Sequence, residues 1–83
     1  MKEIVVTVND PAGLHARPAA DLMKLSKTLK CKVEIQYEDQ VANAKSLLEI
    51  LSLGINQGDQ VKVICDGENE QEAIACFTRF FND

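Results

Sequence analysis

Apolar and polar positions alternate along this chain in two periods, and the switches between them mark seven short elements. Glu3-Ile4-Val5-Val6-Thr7-Val8 is rich in β-branched residues with Ile4, Val6 and Val8 on one face, which predicts a strand. Asn9 to Gly13 is a loop by composition. From Ala16 to about Lys27 the period becomes helical, with Ala19, Leu22, Met23 and Ser26 or Leu29 inward and Lys24 and Lys27 toward solvent. Lys32–Tyr37 alternates cleanly as a half-buried strand, and Glu38-Asp39-Gln40 turns into a short strand over Val41–Asn43. Ser46-Leu47-Leu48-Glu49 has the S-x-x-E form of a capping box, so a helix begins at Leu47. Gly54 is placed to end it in a left-handed conformation. A turn at Asn56–Asp59 leads to a fourth strand over Val61–Cys65, broken by Asp66-Gly67. Asn69 then offers an N-cap with Glu70 and Glu72 in the first turn, and Ala73, Ile74, Phe77 and Phe80 form the last inner stripe.

The order is β-α-β-β-α-β-α. Strands that alternate, rather than running uniformly apolar, make a sheet wet on one face, hence antiparallel, with the helices on the other. The fold class is therefore α+β, an open-faced two-layer sandwich; the pattern leaves strand order open. Eighty-three residues fit one domain, 1–83. A chain this short buries only about 60% of its unfolded surface, so its chemistry belongs at the surface rather than in a deep cavity.

Charge and cysteine usage narrow the class. A net charge of −4 and a pI near 4.9 argue against a nucleic-acid module, although seven of the nine basic residues lie between Arg17 and Lys62. No apolar run approaches the ~20 residues of a membrane span, and Met1–Pro11 lacks the apolar core of a signal peptide. Cys31, Cys65 and Cys76 are odd in number, far apart and without a C-x-x-C pair, which points to buried thiols in a reducing cytoplasm. With one histidine, a His-based metal site is not expected.

That histidine is in Gly13-Leu14-His15-Ala16-Arg17-Pro18-Ala19-Ala20. If the helix begins at Ala16, His15 is its N-cap, and the backbone N–H groups of Ala16 and Arg17 have no helical partners. Pro18 is tolerated in the first turn, where its missing N–H costs nothing. Such an end is an anion site, and Arg17 adds a planar cation suited to phosphate. The same field opposes positive charge on the imidazole and favours its neutral, nucleophilic form. A neutral nucleophile beside an anion cradle is what a reversible phosphoryl carrier needs. An ordinary N-cap with a solvated arginine is the competing reading, and spacing alone does not separate the two.

The motif GLHARPAA closely resembles the active-site signature of the HPr family, the histidine-containing phosphocarriers of the bacterial phosphoenolpyruvate:sugar phosphotransferase system. A second stretch, AKSLLEILSLGI at Ala44–Ile55, and the order of elements extend the resemblance nearly end to end. The resemblance implies a four-stranded antiparallel sheet in order 1-4-2-3 with three helices on one face. It implies that His15 accepts a phosphoryl group on Nδ1 from phospho-Enzyme I and passes it to a sugar-specific EIIA domain, with Arg17 as the active-site arginine. The protein would then be a stoichiometric carrier without a cofactor, not an independent enzyme. Pro11-Ala12 departs from the family, in which a small polar residue is common at the second position; no side chain at residue 12 can hydrogen-bond the loop here.

Ser46 also carries two readings. Helix capping explains it fully; in many HPr proteins the matching serine is instead phosphorylated by HPr kinase/phosphorylase, which signals to a catabolite-control transcription factor. Glu49, expected to reach back to the cap, would repel such a phosphate. Leu47, Leu48 and Leu51 exceed what one face of so short a helix can bury, so either all three are core or at least two form an exposed patch. The resemblance favours the patch and places it, with Ala20, Lys24 and Lys27, against Enzyme I and EIIA. Two relatives of this type are rivals: a nitrogen-branch paralogue, which shares the motif, and a Crh-type regulator, in which the histidine is replaced whereas His15 is retained here.

Overall fold

The computed structural model describes residues 1–82. Its elements are β1 (Lys2–Thr7), α1 (Ala16–Lys27), β2 (Lys32–Tyr37), β3 (Gln40–Asn43), α2 (Leu47–Ser52), β4 (Gln60–Asp66) and α3 (Glu70–Asn82). The strands form one antiparallel sheet in the order β1-β4-β2-β3. Register lines apolar residues across it: Ile4 faces Val63, Val63 faces Ile35, and Ile35 faces Ala42. Because side chains alternate along a strand, Val63, Ile35 and Ala42 of this row and their neighbours Val33, Val61 and Cys65 are buried, Ile4 on the edge strand is half-buried, and Glu3, Val5 and Gln60 face water.

All three helices add to the same buried cluster: Ala19 and Leu22 from α1, Ile50 from α2, and Ala73, Phe77 and Phe81 from α3. Phe77 is the largest fully buried side chain. Ser26, the one buried polar residue described, donates its hydroxyl to the Leu22 carbonyl at 2.8 Å, which satisfies it within the helix. Leu29 is only half-buried, so the inner stripe of α1 runs through Ser26. Among the described residues no helix is long and apolar enough to cross a membrane.

Four sequence expectations shift. Val8 lies past the end of β1, yet its N–H donates to the Asp59 carbonyl at 2.9 Å and its carbonyl accepts from Gly58 at 2.7 Å, so it stays buried. In α3 the stripe continues from Phe77 to Phe81, four residues on, and Phe80 and Ile74 are half-buried at its flank. Asn69 precedes α3 in a left-handed conformation (φ +61); Glu70 and Glu72 stand in the first turn as expected, and Glu70 accepts the Gly67 N–H at 3.3 Å. Cys31 and Cys65 are buried thiols, but Cys76 is only half-buried.

Candidate phosphoryl-accepting site

The backbone before α1 is built to bury one residue and expose the next. Asp10 closes the loop by accepting the Ala12 N–H on Oδ1 and the Gly13 N–H on its carbonyl, both at 2.8 Å. This local Asx turn holds the segment that lacks a polar side chain at residue 12. Gly13 has φ +66, and a Cβ there would lie 2.5 Å from the Ile55 carbonyl oxygen, so both conformation and space require glycine. Leu14 is buried in the core and donates its N–H to that same carbonyl at 3.1 Å. With Leu14 anchored inward, His15 is exposed.

His15 is the N-cap of α1, with φ −80 and ψ −169. Its carbonyl accepts the Ala19 N–H at 2.8 Å, which starts the helix, but its side chain makes no capping hydrogen bond. The imidazole is therefore not serving as a cap. No described residue accepts from the N–H groups of Ala16 or Arg17, and no acidic side chain stands in the first turn. Helix dipole and unpaired donors thus act together at the foot of the ring. Arg17 is exposed and forms no ion pair among the described residues.

A cleft of about 460 Å³ opens at the start of α1, and His15 is not among the residues that line it. Its walls include Leu14, Pro18 and Phe81, and Arg17 is the residue it shares with the anion end.

At ~100° per residue, Arg17, Ala20, Lys24 and Lys27 fall within an arc of about 80° on α1, with the lysines ~14 and ~18 Å along the axis from His15. Both lysines are exposed and Ala20 is half-buried. On α2, which packs beside α1, Leu48 is 80% exposed and Leu51 37%, while Leu47 is half-buried against the core. Ile50 and Leu53 are the residues of this segment that fill the core. Two of the three leucines therefore form an exposed apolar patch.

Ser46 is half-buried at the N-cap of α2 and its Oγ accepts the Glu49 N–H at 3.4 Å, a long bond. The other half of the capping box is not formed. Glu49 Oε1 instead accepts the N–H of Asn43 at 3.0 Å, and the Ser46 N–H donates to the Asn43 carbonyl at 3.0 Å. The edge strand β3 leaves that Asn43 N–H without a ladder partner, and Glu49 takes it. The Lys45 ammonium donates to the Leu29 carbonyl just beyond α1 at 2.9 Å, tying the two helices' ends together.

Sequence reading missed one contributor. Asp59 Oδ2 accepts both the Asn56 N–H and the Tyr37 hydroxyl at 2.9 Å, bracing the turn whose carbonyl holds Leu14. The turn composition at Asn56–Asp59 was legible; the partner 22 residues away was not.

Comparison with known proteins gives a consistent picture. The family model described as the PTS HPr component phosphorylation site matches residues 2–83. The phosphocarrier protein HPr of Lysinibacillus sphaericus is 38% identical over 74 residues, 89% of this chain and 84% of that protein. HPr-C-His of Thermoanaerobacter tengcongensis superposes with a TM-score of 0.95 at 34% identity, covering 99% of this chain and 92% of that one. Crh of Bacillus subtilis, described as a catabolite repression protein with a swapped domain in its dimer, superposes at 0.78 with 32% identity, covering 99% and 94%.

Proposed function

The chain belongs to the HPr family of phosphotransferase-system phosphocarriers, and from that premise we propose that His15 is its phosphoryl acceptor. The observation that carries this reading is an exposed imidazole at a helix N-cap, making no capping bond, above two unpaired backbone donors. In the forward step the Nδ1 lone pair attacks phosphorus, an N–P bond forms, and the bond to the phosphohistidine of Enzyme I breaks with its electron pair returning to that ring. The Ala16 and Arg17 N–H groups and the Arg17 guanidinium then face the transferred oxygens. Transfer to a histidine on an EIIA domain is the same step in reverse. The phosphoryl group is the cargo, so the chain turns over no substrate of its own and takes no cofactor or metal; it works in the cytoplasm as one domain.

Leu48 and Leu51, with Ala20, Leu47, Lys24 and Lys27 around them, supply an apolar centre with a basic rim for docking these partners. The basic rim raises association rate more than affinity. Ser46, half-buried beside this patch, is the regulatory position. A phosphate there, added by HPr kinase/phosphorylase, places a dianion next to Leu48 and repels an acidic partner. Glu49 is less of an obstacle than its sequence position implies, because its carboxylate is turned to Asn43. The seryl-phosphorylated form is the one read by a catabolite-control transcription factor.

Incubation with Enzyme I and phosphoenolpyruvate, followed by intact-mass measurement, tests the carrier reading. One acid-labile phosphoryl group is expected, absent in His15→Ala; no gain, or a gain that survives the substitution, rejects it. Kinase and ATP should add one acid-stable phosphate, lost in Ser46→Ala, and the product should accept more slowly from Enzyme I.

A further inference from the structure

One peptide unit, Ile55–Asn56, touches both the His15 loop and a carboxylate. Its carbonyl accepts the N–H of Leu14, the residue immediately before His15, at 3.1 Å. Its N–H donates to Asp59 Oδ2 at 2.9 Å. That oxygen also accepts the Tyr37 hydroxyl from the end of β2 at 2.9 Å. The Asp59 backbone adds two further ties, donating to the Asn56 carbonyl at 3.1 Å and accepting from Val8 at 2.9 Å. The Gln57 side chain donates to the Asn9 carbonyl at 3.3 Å. Both ends of the loop that presents His15 are therefore held by the turn that Asp59 closes.

A peptide plane is rigid, so fixing the direction of its N–H fixes that of its carbonyl. A carboxylate accepting the N–H also polarises the unit and strengthens the acceptor at its other end. We infer that Asp59 is a positioning residue for phosphoryl transfer: through the Ile55–Asn56 peptide it sets the direction of the Leu14 N–H, and with it the backbone from which the His15 ring projects. Tyr37 is the outer brace, holding the carboxylate in the orientation that reaches Asn56. The pairing also raises the tyrosine's pKa above the ordinary phenol value, through the hydrogen bond first and burial second. Asp59 touches neither the ring nor the phosphoryl group. Its effect arises because in-line transfer is sensitive to displacements below 1 Å.

The inference rests on His15 being the acceptor, so the test separates the two. Phosphorylation by Enzyme I is followed by rapid quench at varied Enzyme I concentration for the wild type, Asp59→Ala and Asp59→Asn. Asp59→Ala should lower kcat roughly tenfold, within the range that misplacement causes, while KM for Enzyme I stays within about twofold. Asp59→Asn, whose amide oxygen can accept both donors, should recover to within about threefold of the wild type. Hydrogen exchange of the Leu14 amide should speed up in Asp59→Ala while that of Val63 in the sheet does not. A wild-type kcat in Asp59→Ala, a change confined to KM, or an asparagine variant as slow as the alanine one overturns the inference. If Asp59→Ala does not fold, Asp59→Ser, whose hydroxyl is too short to serve both donors, takes its place with the same expectations. A wild-type protein that accepts no phosphoryl group counts against the His15 reading instead, and unchanged Leu14 exchange then overturns the Asp59 role by itself.

Discussion

Gly13 and Gly54 form a controlled pair for measuring how tightly the His15 loop is fitted to its support. Both have nearly the same backbone conformation, φ +66 and +64. A Cβ at Gly54 meets nothing within 4 Å, whereas at Gly13 it falls 2.5 Å from the Ile55 oxygen and 2.8 Å from the Asn56 Cα. Placing an L-residue in the left-handed region costs ~1–2 kcal/mol. The alanine recovers ~0.4–1 kcal/mol by restricting the unfolded chain, so Gly54→Ala should cost about 1 kcal/mol. Gly13→Ala carries the same conformational cost plus that of moving backbone atoms by at least half an ångström, for which overpacking data give ~1–3 kcal/mol. Its total is ~2–4 kcal/mol, a large part of the ~4–12 kcal/mol expected for a chain of this size. At ~4–8 °C per kcal/mol, Gly54→Ala lowers Tm by about 4–8 °C and Gly13→Ala by roughly 8–32 °C. Thermal and urea unfolding of both variants decides the matter. Equal losses would show that the loop has slack against residues 55 and 56, and the argument from close fit would fail.

Other substitutions separate function from stability. Arg17→Ala should slow acceptance from phospho-Enzyme I roughly ten- to hundredfold, approaching the effect of losing a preorganised donor, with Tm nearly unchanged; normal transfer would reduce Arg17 to a surface charge. Leu48→Ala should leave stability within about 0.5 kcal/mol but weaken Enzyme I binding about five- to tenfold in a titration, while the neighbouring buried Ile50→Ala should cost ~2–5 kcal/mol. Unchanged binding by Leu48→Ala would remove the patch from the docking surface. The Cys65 thiol is pushed up to about 12, by burial first and by the nearby Cys31 second. A folded-state pKa above the unfolded one means that this contribution is present below pH ~9 and lost as pH climbs toward 12. Cys65→Ala should therefore remove a step from the alkaline limb of the stability curve measured in denaturant, and an unaltered limb would contradict the assignment.

Element order and the exposed N-cap position of His15 were legible because each depends on neighbours in sequence. The strands alternate, Gly54 turns left-handed as placed, and the helix start at Ala16 follows from the residues around it. What escaped the pattern involves competition between distant groups. The S-x-x-E signature foretold both halves of a capping box, but an unpaired N–H on edge strand β3 captured the Glu49 carboxylate. Phe80 and Phe81 are adjacent, so helical spacing from Phe77 admits either; packing against the sheet selects Phe81. The Asp59–Tyr37 pair joins the turn before β4 to the end of β2, strands that are neighbours in the sheet but far apart in sequence, and neither residue belongs to a recognisable motif.

The open setting of His15 has a consequence for timing. On the proposed reading, the exposure of His15 leaves a carried phosphoryl group open to water as well as to a recipient. A phosphoryl group carried there would be lost by hydrolysis in solvent unless a partner took it first. Delivery has to outrun that loss. Under the proposed docking role, Lys24 and Lys27, exposed on the same helix, would quicken encounters with acidic surfaces. Exclusion of water during transfer then falls to whichever partner closes over the ring, so a small carrier can serve many recipients without matching any of them in detail.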